Sequence, residues 1–415
     1  MISESVRKLI ASLNDNYVHW DKFKDMPLPD GARHAPVWAI VKAEREQGAY
    51  RQLVAGEKTY TWWVSNAMEA RLHQLDIAMA GGRDMTALLI PKQVHRHKTN
   101  ACLDESITSA QLAGFPVSKK AAKEMLLKKQ SPQNTGEQVC INIYRTIQLA
   151  ISKKDETLTE ELLMLLHQTL TKDSLPFKAV GHYRSNNKVD LSGIDTSGGY
   201  KVPDAKSIRD QMSFFLSLYN NGATPFFIHP LVKAAILHYL VVTIRPFKDA
   251  NGRMARLLAQ MYLLKQGYWL AEFISISNVI SKFRSQYHKS FIWCQADENN
   301  MGYFIHFYLQ SVQMAYKSLR DFVQRISKQK QEEKPSSIAG YNERQSAVLR
   351  WLKDDAQKVV TIRELRSVYG VSKETARTDL TALVEKGWLK YYHINKKTYA
   401  FVKGDGFDKH IDPLF

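Results

Sequence analysis

Twelve consecutive residues, Arg245-Pro-Phe-Lys-Asp-Ala-Asn-Gly-Arg-Met-Ala-Arg256, gather an unusual set of side chains into one short stretch. Two arginines, Arg253 and Arg256, are one helical turn apart, close behind a glycine. A helix N-terminus presents free amide N–H groups, and with a glycine for close approach and two guanidiniums beside it the arrangement suits a polyphosphate. Asp249 adds a carboxylate of the kind that Mg²⁺ takes when it bridges to phosphate oxygens. Asn251-Gly252 is also an ordinary turn sequence, but a bare turn has no use for the aspartate and the arginines.

Such a loop needs rigid elements on both sides. Before it, Leu231 to Ile244 is an almost unbroken apolar run behind His229-Pro230, which predicts a buried helix with proline in its first turn. After it, Met254 to Leu264 is again apolar at helical spacing. The pattern is helix, phosphate-binding loop, helix.

The stretch resembles the signature of the Fic family, His-Pro-Phe-x-Asp/Glu-Gly/Ala-Asn-Gly-Arg-x-x-Arg. Pro246, Phe247, Asp249, Ala250, Asn251, Gly252, Arg253 and Arg256 match it, and Arg245 stands where the family has histidine. The resemblance implies transfer of AMP from ATP to a hydroxyl of a target protein. It implies Mg²⁺ on Asp249 and a nucleotide site of Phe247, Lys248, Ala250, Asn251, Gly252, Arg253 and Arg256. Within that site Asn251, Gly252 and Arg253 would hold the α- and β-phosphates and Arg256 the γ-phosphate. Tyr287 aligns with a tyrosine near the adenine in relatives. The family's histidine is its general base. A guanidinium, with a pKa above about 12, cannot accept a proton at neutral pH. The expectation is therefore intact ATP binding and impaired transfer. Gly252 argues against the phosphate-transferring branch, which carries a bulkier basic residue there.

A second motif lies upstream. Ser109, Ala113 and Gly114 fit the family's autoinhibitory pattern Ser/Thr-x-x-x-Glu-Gly/Asn, with alanine in place of the glutamate that pairs with the second arginine. Alanine offers no acceptor, so Arg256 is expected to be free to take phosphate. A small-residue helix end would read the same way. A helix is predicted from about residue 118 to 128.

Between these motifs, helical periodicity covers Gln138 to Ile151 and Leu158 to Leu170, the second opened by a capping box Thr157-Leu-Thr-Glu160. Alternation at Val189, Leu191 and Ile194, with glycines at 193, 198 and 199, predicts a β-hairpin. In the family a hairpin here is a flap that docks the target by strand addition. Helices follow over Asn278 to Phe291 and Gly302 to Ile326. At the N-terminal end, Trp20, Trp38 and their apolar neighbours read as core, and Trp62 to Ile77 as one helix.

Residues 328–339 are charged, poor in apolar residues and carry Pro335, which reads as a linker. Beyond it three helices and two strands resemble a winged helix-turn-helix. Thr361-Ile-Arg-Glu364 is a capping box for its second helix. Lys373, Arg377 and Thr378 lie on the outer face of the third, suited to the major groove, and Lys396 and Lys397 on the wing, suited to phosphate. Protein contact or dimerisation is the other use of such a unit, which leaves a homodimer open.

Composition sets the bounds. The chain has 415 residues, 44% of them hydrophobic and 24% charged, enough for several well-cored domains. Its net charge of +17 attracts polyanions, although scattered solubilising lysines account for part of it. No apolar run approaches the roughly 20 residues of a membrane span, so no membrane partner is expected. The start lacks a secretory signal, and Cys102, Cys140 and Cys294 have no metal or disulfide spacing, so the expected location is cytoplasmic.

The sequence thus predicts a mainly α protein with a Fic-type helical core, a β-hairpin flap and a C-terminal winged helix-turn-helix. The expected segments are an N-terminal helical part (1–98), an inhibitory-helix-like part (99–135), the core with supporting helices (136–327), the linker (328–339) and the DNA-binding unit (340–415). Function divides between an adenylyltransferase with an impaired site and a DNA-binding regulator that uses an inactive core as a nucleotide sensor.

Overall fold

The computed structural model describes residues 2–407 apart from 30, 48–50, 56–57, 82–90, 128–129, 190–201, 223, 333–337, 339, 356–357 and 396–397. The chain divides into two compact units, residues 1–323 and 324–415. Among the described residues no helix is long and apolar enough to cross a membrane.

Among its described residues the first unit is helical apart from one hairpin. Helices α1 (Glu4–Asp15) and α2 (His34–Gln47) flank a single turn at Trp20–Phe23. Val6, Ile10, Leu13, Phe23, Val37 and Val41 form a small core there, against which Trp20 and Trp38 pack as expected. Strands β1 (Arg51–Ala55) and β2 (Lys58–Trp62) then pair antiparallel, Arg51 opposite Trp62. Trp62 therefore ends a strand and does not open a helix. The helix begins only at α3 (Asn66–Asp76), where the Ser65 side chain accepts from the Met68 amide.

Next come α4 (Pro91–Leu112), α5 (Lys119–Leu127), α6 (Thr135–Ser152) and α7 (Glu160–Thr171). The cap of α7 is Thr159, whose hydroxyl accepts from the Leu162 amide at 3.2 Å, two residues after the threonine expected to fill that role. Helix α8 (Ile208–Tyr219) leads to the centre, α9 (Pro230–Ile244) and α10 (Asn251–Lys265). Every residue of α9 from Leu231 to Ile244 is buried, as an all-round apolar helix must be. Its N-cap is His229, and proline opens its first turn, where a missing N–H is harmless. The helix expected over residues 278–291 is two, α11 (Ile276–Lys282) and α12 (Arg284–Ala296), broken at Phe283. Helix α13 (Gly302–Glu332) runs longer than expected and takes in residues 328–332, first read as linker.

The second unit contains α14 (Glu343–Asp354), β3 (Val360–Thr361), α15 (Ile362–Tyr369), α16 (Lys373–Glu385), β4 (Leu389–Asn395) and β5 (Thr398–Lys403). The strands form a three-stranded antiparallel sheet in the order β3-β5-β4. Val348, Leu352, Leu365, Leu380, Leu383, Trp388 and Phe401 fill its core. Thr361 and Ser372 cap α15 and α16 through their hydroxyls, and Gly370 makes the turn between them in the left-handed region, φ 63°. That is a helix-turn-helix followed by a two-stranded wing.

Candidate active site

The loop between α9 and α10 is shaped by its own side chains. Arg245 ends α9 in the left-handed region, φ 50°, directly before a proline, a conformation that L-residues with a Cβ disfavour. Two bonds hold it there. Its amide donates to Val241 O at 3.1 Å, and Arg184 Nε donates to its carbonyl at 2.8 Å. The Arg184 amide donates in addition to Pro246 O at 2.9 Å. At the far end Ala250, φ 67°, is a second left-handed residue and caps α10 without any side-chain bond.

Asn251 spends both ends of its carboxamide on the loop. Its Oδ1 accepts from the Phe247 amide at 2.9 Å and its Nδ2 donates to the Phe247 carbonyl at 2.8 Å. Its side chain thus closes the loop, and what it can offer an anion is its backbone N–H. Phe247 in turn stacks on His167, ring centroids 3.8 Å apart and planes 9° apart. His167 Nδ1 accepts from the Gly181 amide at 3.0 Å, so Nε2 carries the proton and donates to the Asp249 carbonyl at 3.3 Å. Burial pushes this histidine down to about 4, so it is neutral. With both nitrogens occupied it cannot stand in for the absent base.

The first turn of α10 is open. With no side-chain cap at Ala250, the amides of its first turn have no partner inside the helix. Gly252 has helical backbone there, and a Cβ built on it would meet only Arg256 Nη1, at 3.4 Å. Packing therefore does not require glycine. The helix carries a residue that costs about 1 kcal/mol against alanine and leaves the amides exposed to close approach.

Three arginines flank the loop in sequence, and Arg256 is the one whose guanidinium reaches Gly252. Arg245 and Arg253 are buried, at 7% and 3% exposure, and Arg256 is half-buried. Arg253 Nη2 pairs with Asp249 Oδ2 at 3.0 Å, and its guanidinium lies over the Phe115 ring. Asp249 keeps its side chain 27% exposed. Lys248 is exposed. Among the described residues no three His, Cys, Asp or Glu side chains converge as a metal site. A cation held by Asp249 would thus rely on phosphate oxygens for further ligands, which is how Mg²⁺ commonly binds.

Arg256 is held by a residue of the upstream motif. Helix α4 ends at Leu112, which puts Ala113 in the following turn and Ser109 one turn back along the helix. Arg256 Nε and Nη2 donate to Ser109 Oγ at 3.1 and 2.8 Å, and Nη2 also to Ser109 O at 3.2 Å. The acceptors that Arg256 meets on this motif are thus the hydroxyl and carbonyl of Ser109. Tyr287 is buried close to Arg256, and His238 Nε2 lies 3.0 Å from its hydroxyl. Gly114 turns the chain after α4 at φ 86°.

Of the flap, Val189 is half-buried, while Leu191 and Ile194 lie outside the described residues. Arg184 binds on both sides of that segment. Its Nη1 donates to Asn186 O at 2.9 Å and its Nη2 to Pro203 O at 2.6 Å. Arg184 and His167 had no role in the sequence reading. The only sign of His167 is its place on the apolar stripe Leu163, Leu166, Leu170 of α7, where a packing histidine looks the same.

In the second unit, Lys373, Arg377 and Thr378 are exposed on α16, as is Thr381. Lys396 and Lys397 lie outside the described residues. Asp379 is turned inward. It accepts from Arg344 Nε at 2.6 Å and from Asn342 Nδ2 at 2.7 Å, which ties α16 to α14.

Comparison with known proteins agrees with this division. Residues 157–263 match the model of the Fic/DOC family, and residues 344–393 match that of a DeoR-like helix-turn-helix domain. A protein adenylyltransferase Fic of Nematostella vectensis is 32% identical over 116 residues, 28% of this chain and 25% of the relative. Its counterpart in Aedes aegypti is 39% identical over 71 residues, 17% of this chain and 14% of the relative. The chain thus spans a quarter or less of these curated relatives. Among solved structures, a Fic family protein from Desulfovibrio desulfuricans superposes with a TM-score of 0.51 at 19% identity, over 81% of this chain and 95% of that one, which is a likeness of fold.

Proposed function

We propose that this chain, which carries a Fic domain and a C-terminal DeoR-like helix-turn-helix domain, binds Mg-ATP at the α9–α10 loop and transfers AMP to protein hydroxyls poorly. The observation that carries the reading is the open first turn of α10, with Gly252 unrequired by packing and Arg256 Nη1 over it. The amides of that turn and Arg256 would hold the phosphates. Asp249 would hold Mg²⁺, which when bound neutralises phosphate charge. Arg253, buried against Phe115 and paired with Asp249, fixes the carboxylate.

At the position of the family's base stands Arg245, which cannot take the target hydroxyl's proton. A general base typically contributes about 10²- to 10⁴-fold, and that factor is lost. The third guanidinium strengthens the positive field on the phosphates instead. The reading is tested by calorimetric titration of Mg-ATP into the full chain and into Arg256→Ala, with labelled ATP to follow transfer. Micromolar-range binding that Arg256→Ala weakens supports it. No binding, or transfer at the pace of histidine-bearing relatives, counts against it.

A second reading has its own observation. The exposed face of α16 presents Lys373, Arg377, Thr378 and Thr381, a polar and basic surface on the helix that enters the major groove in such domains. On this reading the chain is a DNA-binding regulator whose Fic domain senses nucleotide. Titration of duplex DNA at several salt concentrations separates the two, a steep salt dependence with sequence preference favouring the regulator.

A further inference from the structure

We infer that Ser109 is a positioning residue for phosphate binding, holding Arg256 by neutral acceptors so that its remaining nitrogen stays over Gly252. The inference rests on the nucleotide reading above and extends it to a residue of α4.

The guanidinium is fixed on one edge. Nε and Nη2 donate to Ser109 Oγ, and Nη2 also to Ser109 O, at 2.8 to 3.2 Å. Nη1 is the nitrogen near the helix opening, 3.4 Å from where a Gly252 Cβ would stand. The Tyr287 hydroxyl also acts on Arg256 and is itself met by His238 Nε2 at 3.0 Å. The direction of Nη1 is set by the Ser109 bonds on the opposite edge of the guanidinium.

The neutrality of the acceptor decides what this restraint does. A hydroxyl and a carbonyl hold the guanidinium without cancelling its charge. The carboxylate nearby, Glu105, accepts from Ser275 Oγ at 2.8 Å, the Ser277 amide at 3.0 Å and the Ser277 hydroxyl, so its oxygens are committed to α11. Arg256 therefore faces the opening bonded to neutral acceptors, and the Glu105 carboxylate acts on it through its field without a direct ion pair. Its many rotamers are already restricted, which removes an ordering cost from binding. A carboxylate in the place of the Ser109 oxygen would have the opposite effect, pairing with the charge and competing with phosphate.

The test is a set of Kd values for Mg-ATP and for AMP on the full chain, for the parent, Ser109→Ala, Ser109→Thr, Arg256→Ala and the Ser109→Ala/Arg256→Ala double variant. Ser109→Ala is expected to weaken Mg-ATP about tenfold and leave AMP within about twofold, since only the longer phosphate chain reaches Nη1. Ser109→Thr, which keeps the hydroxyl, should restore the parent value. The double variant should be no weaker than Arg256→Ala alone, because Ser109 acts only through the arginine. Should Ser109→Ala fail to fold, Ser109→Cys, a weaker acceptor, is expected to fall between threonine and alanine. Unchanged or tighter Mg-ATP binding by Ser109→Ala, with Arg256→Ala weakened, overturns this inference alone. No nucleotide binding by the parent overturns the nucleotide reading and this inference with it.

Discussion

Arg245 has two roles that pull apart. Its backbone sits in a left-handed, pre-proline conformation that Arg184 and Val241 hold in place. Its side chain is a buried cation at the position where the proposed transfer would call for a base. Arg245→His should therefore keep the loop and supply the base, raising AMP transfer at least about 10²-fold in an assay with labelled ATP and a protein acceptor. Transfer that stays at background after this change would show that more than the base is missing. Gly252 offers a complementary case. Its backbone is helical and the folded protein has room for a methyl group, so Gly252→Ala should raise the stability of the first unit by up to about 1 kcal/mol in a denaturant melt. The same methyl would stand over the amides, and Mg-ATP affinity should fall at least about tenfold. A gain in stability with unchanged affinity would mean that phosphate does not approach this turn.

At the scale of elements, α7 and α9 each bring one buried histidine to the site. Burial holds His167 at about 4 and His238 at about 3, against an ordinary 6.5. The unfolded chain takes up these protons near pH 6.5 and the folded unit refuses them, so stability is full above that pH and is lost on acidification towards pH 4. Each histidine contributes a slope of about 1.4 kcal/mol per pH unit across the window. Thermal melts at pH 7 and 5 should show the loss, and His238→Gln should remove part of it. A flat profile would mean that these rings are charged in the fold. Neither histidine was singled out from sequence, whereas α9 and α10 were legible, because unbroken apolar runs with proline at the start leave little choice. The difference lies in range. Helix periodicity and caps are local, but the Ser109–Arg256 bonds join residues 147 apart, and nothing in either segment announces the other. Alanine at 113 offers no side-chain acceptor, and only the fold brings the serine one turn earlier against the arginine. The β1–β2 hairpin was missed for a related reason. Trp62 belongs to a strand by its pairing with Arg51, while its neighbours in sequence lead into α3. Thr159 and Thr157 show the limit of local signals too, since both are threonines before a helix and only the bond to the Leu162 amide decides between them.

For the whole molecule, the net charge of +17 attracts polyanions, which suits both the nucleotide and the nucleic-acid reading proposed above. The second unit separates recognition from support in a way that can be measured. Lys373 and Arg377 are exposed on α16, while Asp379 on the same helix is 5% exposed and locked to Arg344 and Asn342 of the α14 end. Removing an exposed cation should change binding without changing the fold. Lys373→Ala is expected to weaken duplex DNA binding by the full chain uniformly across sequences and to reduce the slope of log K against log salt by about one. Arg377→Ala should instead relax base preference, at a cost of about 1–3 kcal/mol on the preferred site. Asp379→Ala leaves the guanidinium of Arg344 without its carboxylate, and a half-buried pair broken this way costs a few kcal/mol, about 2–4 here. Its signature is a lower melting temperature for the second unit together with weaker DNA binding, where Lys373→Ala and Arg377→Ala leave melting unchanged. If all three variants melt like the parent and bind DNA alike, α16 is not a DNA-reading helix, and the basic face of this unit serves a protein partner instead.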